Sequence, residues 1–200
     1  MELFDTHFHL EIQDKTNIRN ELLLISKEAS ENRVKYLACM GDNYETSKEA
    51  ETCSNMITNM WFAVGVHPHW AKDYSGNLKD FEILTNAPKC VAVGEIGLDY
   101  YYETSDKNSQ LKVFDIFCDL GRRLNKPLII HCRDKEDKNY AYKEIYDLLK
   151  NNYSGVKFVV HCYSGNLEYL DKFLSLGAYI GITGMITFEK ANNIREISSM

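Results

Sequence analysis

Two histidines two residues apart, His7 and His9, follow an apolar residue and an acid in Phe4-Asp5-Thr6-His7-Phe8-His9. On a β-strand, residues two apart project to the same face. The pair would therefore aim two imidazoles at one point, which is what a divalent cation needs. Four more histidines complete the set: His67, His69, His131 and His161. All six fall at the C-terminal end of an apolar run that reads as a strand, and none falls in a predicted helix. Independent placement would scatter some of them onto helices, so the distribution points to one shared site.

Glu95 stands out among the acids. It sits between Val-Ala-Val-Gly and Ile-Gly, at the end of a run predicted to be buried. A buried carboxylate requires a cation or a hydrogen-bonding partner, and bridging two metal ions would answer that requirement. His131 and His161 repeat one pattern, an apolar strand followed by His-Cys. His67-Pro68-His69 could contact a substrate phosphate, transfer a proton or form a turn. Arg133, two positions after His131, could clamp a phosphate bidentately or pair with Asp134 or Glu136. Asp99 could bind substrate or hold its own loop. Asp5, two before His7, could orient an imidazole or cap the strand.

The elements that must position these groups alternate strictly. Strands are predicted over residues 3–10, 34–40, 61–69, 90–97, 127–131, 156–162 and 178–186. Helices are predicted over 17–33, 46–60, 78–87, 109–124, 140–150 and 167–176, with a last one from Glu189. The first helix should bury Leu22, Leu23, Ile25 and Ala29. The second should open on a capping box from Thr46 to Glu49. Continuous apolar strands suit a parallel sheet covered on both faces. Seven β-α units then predict an α/β, TIM-type (β/α)8 barrel, whose strand C-termini share one rim. A doubly wound sheet is the runner-up, but no glycine-rich phosphate turn follows the first strand.

Composition bounds the rest. The 200 residues suit a single domain, and 44% hydrophobic residues supply a sizeable core. A net charge of −6 and an estimated pI of 5.5 argue against a broad basic surface for nucleic acid, while leaving room for a local patch. The six cysteines lack zinc-knuckle spacing, which with no predicted leader suggests reduced thiols and a cytoplasmic setting. No apolar run approaches the roughly 20 residues of a membrane helix.

Five motifs in order carry a resemblance. They are Phe4 to His9, Gly65-Val66-His67-Pro68-His69, Val93-Gly94-Glu95-Ile96-Gly97-Leu98-Asp99-Tyr100-Tyr101, Pro127 to Arg133, and His161-Cys162-Tyr163-Ser164-Gly165. With Gly181-Ile182-Thr183-Gly184 and Thr187 to Ala191, they resemble the TatD family of metal-dependent deoxyribonucleases, within the amidohydrolase-type barrel hydrolases. The resemblance implies one hydrolase barrel domain over residues 1–200 and a site with two divalent ions (Mg²⁺, Mn²⁺ or Zn²⁺). It implies His7 and His9 on one ion, His131 and His161 on the other, and Glu95 bridging both as the central catalytic group. His67, His69, Arg133 and Asp99 would meet the substrate. The implied reaction is 3′ to 5′ exonucleolytic cleavage of DNA.

Family members carry an eighth strand with a Glu-Thr-Asp-Ala-Pro-type motif, and this sequence reaches Met200 within the helix before it. Seven strands without that strand, an open barrel edge and self-association through the edge are expected. Two further functions stay open: an ester or amide hydrolase (an aminoacyl-tRNA deacylase or a small-molecule amidohydrolase), and a catalytically impaired fragment acting as a binding protein.

Overall fold

The computed structural model describes residues 2–10, 16–135 and 138–199. Seven parallel strands form one sheet in sequence order, β1 to β7. They are β1 (Leu3–Phe8), β2 (Val34–Met40), β3 (Met60–Val64), β4 (Cys90–Asp99), β5 (Leu128–Arg133), β6 (Phe158–His161) and β7 (Tyr179–Ile180). Helices alternate with them: α1 (Ile18–Glu31), α2 (Tyr44–Met56), α3 (Leu78–Thr85), α4 (Lys107–Arg123), α5 (Tyr140–Asn152), α6 (Leu167–Ser175) and α7 (Asn192–Ser198). This is the expected β-α alternation of a TIM-type barrel wall.

Side-chain alternation along the strands separates two cores. On the helix-covered face, Phe62, Val64, Ile96, Leu98, Leu128, Ile130 and Val160 pack with Phe114 and Phe117 of α4 and with Phe173 of α6. On the other face, Ala38, Met40, Ala63, Ala92 and Ile129 form a smaller cluster of mostly short side chains. Short side chains there let the sheet curl upon itself. α1 seats Leu22 against Leu37, Cys53, Ile57 and Met60, with Ile25 and Ala29 alongside. Leu23, expected on that stripe, is exposed instead, because it lies about 100° round the helix from Leu22.

Three expected boundaries move for local chemical reasons. The third strand ends at Val64 and the chain then enters a 3-10 turn, Pro68–Asp73. Pro68 lacks the amide proton that a strand would use, while the His67 side chain accepts a hydrogen bond from the His69 amide at 3.2 Å. The capping box of α2 is Asn43 with Thr46, so the helix starts two residues earlier than expected. The Asn43 carbonyl oxygen of the side chain accepts from Thr46 N at 3.0 Å, and Thr46 Oγ1 accepts from Asn43 N at 3.0 Å. Beyond Ile180 the seventh strand gives way to a 3-10 turn, Gly184–Thr187, opened by Thr183.

Candidate metal centre

The strand ends deliver the cluster. His7 is the penultimate residue of β1 and His9 follows the strand, His131 lies near the end of β5, and His161 ends β6 directly opposite His131 in the sheet register. His67 and His69 arrive from the turn after β3; His69 lies inside that 3-10 turn rather than on a strand. Glu95 and Asp99 come from β4.

Two glycines set the approach of β4 to its neighbours. Gly97 has φ +145°, and a Cβ there would stand 2.0 Å from the His131 carbonyl oxygen. A Cβ on Gly65 would stand 2.7 Å from the Gly94 carbonyl carbon. Only glycine lets the backbones that carry Glu95, His67 and His131 come this close.

Glu95 is buried and holds the centre. Its Oε2 lies 3.1 Å from His7 Nε2 and 3.3 Å from His9 Nε2. Those two nitrogens are themselves 3.1 Å apart. Its Oε1 lies 2.9 Å from His131 Nδ1, and His67 Nε2 is 3.2 Å from that same nitrogen. One carboxylate thus turns each oxygen to a different histidine pair. His161 stacks on His7 with ring centroids 3.4 Å apart and planes within 6°. The stack brings His161 to the His7 side of Glu95, whereas the resemblance pairs it with His131.

Asp99, fully buried, stands behind His131. Its Oδ2 is 3.0 Å from His131 Nε2 and 3.0 Å from His69 Nε2. Its Oδ1 accepts from the amides of Tyr101 and Tyr102 at 3.0 and 2.9 Å. Both oxygens are therefore committed to holding two histidines and a loop. Asp42, at the rim end of β2, faces His9 Nδ1 at 3.3 Å. Asp42 is not among the candidate residues named from the sequence. Its signal was available: a carboxylate one residue past Gly41, where a strand meets the rim.

Asp5 takes the strand-capping option. Its Oδ1 accepts from the His7 amide at 3.1 Å, and the β1–β2 register slips between Asp5 and Phe8. Among the described residues Arg133 forms no ion pair with Asp134. Its guanidinium lies over Tyr101 at 4.6 Å and Tyr102 at 5.1 Å from the ring centroids. Glu136 lies outside the described residues.

The electrostatics are those of a cation site. Burial alone would raise the Glu95 carboxyl, yet hydrogen bonds from His131, His7 and His9 hold it well below its ordinary value. Asp99 is likewise held low, burial being outweighed by His131 and the Tyr102 amide. His9 is raised to about 10 by hydrogen bonding to Asp42 and then Glu95. Burial would lower His131, but Asp99 and Glu95 raise it to about 9. His67 is lowered to about 3 by burial and by the charge of His131. His161 falls to about 4 through burial and then His7.

Three donor groups share Glu95: with His7 and His161, with His67 and His131, and with His9 and Asp42. In each, the candidate ligand atoms lie within 4.8 Å of one another. Donors on one divalent ion at about 2.1 Å must stand roughly 3–4 Å apart, so the separations fit. His7 Nδ1 is buried with no hydrogen-bond partner among the described residues. Imidazole nitrogens facing one another, with carboxylate oxygens between, form a donor set that divalent metal satisfies.

The sequence profile described as "TatD related DNase" matches residues 4–200. The chain belongs to the TatD-related DNase family. A relative named as an uncharacterized metal-dependent hydrolase, YcfH of Escherichia coli K12, is 30% identical over 196 residues, covering 98% of this chain and 72% of its own length. The 3′-5′ ssDNA/RNA exonuclease TatD of Erwinia billingiae is 30% identical over 198 residues, covering 98% of this chain and 73% of its own length. Among solved structures, the TatD homolog YJJV of Escherichia coli superposes with a TM-score of 0.82 at 24% identity, over 98% of this chain and 73% of that one. A TatD family hydrolase from Entamoeba histolytica gives 0.75 at 24% identity, over 97% and 70%. At that identity the likeness establishes the shared fold. By its family this TatD-type chain is a metal-dependent hydrolase. Among the described residues no helix is long and apolar enough to cross a membrane.

Proposed function

We propose that the chain hydrolyses phosphodiester bonds of single-stranded DNA from the 3′ end, with two divalent ions held on either side of Glu95. The observation that carries this reading is the split of the Glu95 carboxylate, one oxygen on His7 and His9 and the other on His131. When bound, such ions would offset the negative charge of a phosphodiester and lower the pKa of an attacking water.

The chain's own residues do the remaining work. Glu95 stays ionised and fixes two sets of imidazoles around itself. Asp99 orients His131 and His69 and anchors the Tyr101–Tyr102 loop. His67, neutral at pH 7, can contact a phosphate oxygen through a ring N–H without carrying a fixed charge. Arg133, two residues after His131 on β5 with its guanidinium over two tyrosines, supplies N–H donors for a substrate phosphate. The name of the Erwinia billingiae relative, a 3′-5′ ssDNA/RNA exonuclease, supports the substrate and polarity. Six cysteines in the thiol form, five of them buried, support a cytoplasmic setting.

The test is degradation of a 5′-labelled single-stranded oligodeoxynucleotide with added Mg²⁺ or Mn²⁺. Stepwise shortening from the 3′ end, stopped by chelator and by Glu95→Gln, is expected. Faster hydrolysis of acyl esters or amides than of DNA would replace the reading with the ester or amide hydrolase. Glu95→Gln with undiminished DNA cleavage would sink it.

A further inference from the structure

A cavity of about 630 Å³ opens on the same rim as the histidine cluster. Its size falls within the range of small-molecule sites. Two of its lining residues follow cluster residues closely: Arg133 stands two residues after His131 on β5, and Tyr101 two residues after Asp99 in the turn that follows β4. The far side carries Lys135 and Lys138 from the loop after β5.

The charge of this lining is opposite to that of the chain. Among the described lining residues, three cations face one carboxylate, Asp134, in a protein of net charge −6. That carboxylate is turned to backbone: its Oδ1 accepts from the Lys135 amide and its Oδ2 from the Ala141 amide, both at 2.9 Å. Lys135 also pairs with Glu103 at 2.8 Å, which leaves Arg133 and Lys138 as the principal positive groups. Tyr101 adds a flat face, 43% exposed and backed by the Arg133 guanidinium at 4.6 Å. An exposed aromatic ring backed by a cation, beside a positive wall, is what a nucleobase and its phosphate require.

We infer that this cavity is a nucleotide subsite: it takes the unpaired nucleotide next to the one whose phosphate meets the Glu95 cluster, with its base on Tyr101 and its backbone phosphate near Lys138 and Arg133. The inference rests on the proposed phosphodiesterase function and adds to it a reason for single-strand preference. A paired base cannot leave its stack to enter the cavity without an unpairing cost of a few kcal/mol.

Binding is measured in chelator, without turnover, by fluorescence anisotropy of a labelled thymidylate hexamer. The wild-type chain binds the hexamer more tightly than a duplex of the same length. Tyr101→Ala weakens hexamer binding about tenfold while Tyr101→Phe restores it. Lys138→Gln weakens it a few-fold and flattens its salt dependence. A uridylate hexamer separates the two sources of such a strand: equal binding assigns the cavity to single-stranded nucleic acid in general, and weaker binding to DNA. Unchanged thermal melting of Tyr101→Ala establishes that the fold is intact. Wild-type-like hexamer binding by a folded Tyr101→Ala overturns the subsite. Failure of the wild-type chain with Mn²⁺ to hydrolyse bis(p-nitrophenyl) phosphate overturns the phosphodiesterase reading on which the subsite rests.

Discussion

Asp99 Oδ2 lies 3.0 Å from His131 Nε2, on the side of the ring away from Glu95. The imidazole is therefore gripped between two carboxylates, one shared with the donor cluster and one buried behind it. Carboxylates behind ligand histidines fix the ring orientation and raise ligand basicity. Asp99→Asn, nearly equal in shape, is expected to fold and to lower metal affinity roughly 10- to 100-fold. Titration calorimetry with Mn²⁺ checks this, and wild-type affinity in the variant would show that His131 needs no such support.

The acid missing from the sequence reading offers a parallel test. Asp42 faces His9 Nδ1 at 3.3 Å and is the first cause of that histidine's raised pKa. Asp42→Asn should bring the His9 titration, followed by NMR in the metal-free chain, down from about 10. A His9 titration that stays in place would remove Asp42 from the site.

The metal-free chain should show a stability maximum near neutral pH. His9 and His131 are raised to about 10 and about 9 from 6.5, so their contribution is complete below pH 6.5 and is lost as the pH rises through those values. His67 and His161 are lowered to about 3 and about 4, so their neutral forms stabilise the fold above pH 6.5 and that contribution is lost as the pH falls. Glu95, held well below its ordinary 4.5, adds to the loss below that pH. Thermal melting across pH 4–10 in chelator should peak near pH 6.5. Saturating divalent metal needs neutral imidazoles and should move the peak upward. A pH-independent melting temperature would contradict this charge arrangement.

Gly97→Ala tests the backbone approach that places Glu95 beside His131. At φ +145°, with a Cβ 2.0 Å from a carbonyl oxygen, the substitution should cost about 3 kcal/mol in urea unfolding. Gly155→Ala is the control: its φ is +85° with nothing within 4 Å of the added carbon, so strain acts there without collision. Equal losses at the two positions would mean that the approach of β4 to β5 is not what Gly97 permits.

Much of this arrangement was legible in the sequence because it rests on strand ends. An apolar run followed by His, Glu or Asp says both where a strand stops and what it presents. His7, His131, His161 and Glu95 lie at such ends, and the structure gathers their side chains around Glu95, with His161 on the His7 side rather than the His131 side that the resemblance implies. What the sequence did not show depends on contacts across the chain. The stacking of His161 on His7 joins β6 to β1, the outermost strand of the described sheet on the far side, through sheet curvature. The double grip of Asp99 on His131 and His69 needs β5 and the turn after β3 in place. Arg133 could be read as a phosphate clamp or an ion-pair partner, whereas its tyrosine stacking depends on a loop that Asp99 itself anchors. The shortened third and seventh strands have local causes, Pro68 and the Thr183 cap, which apolarity alone had masked.

The most direct measurement is the number of divalent ions bound per chain by wild type and by Glu95→Gln, read by equilibrium dialysis with Mn²⁺ and elemental analysis. A bridging carboxylate predicts two ions on the wild-type chain and the loss of both, or of tight binding at both, when Glu95 becomes Gln. Retention of two tightly bound ions by a folded Glu95→Gln variant would contradict the account.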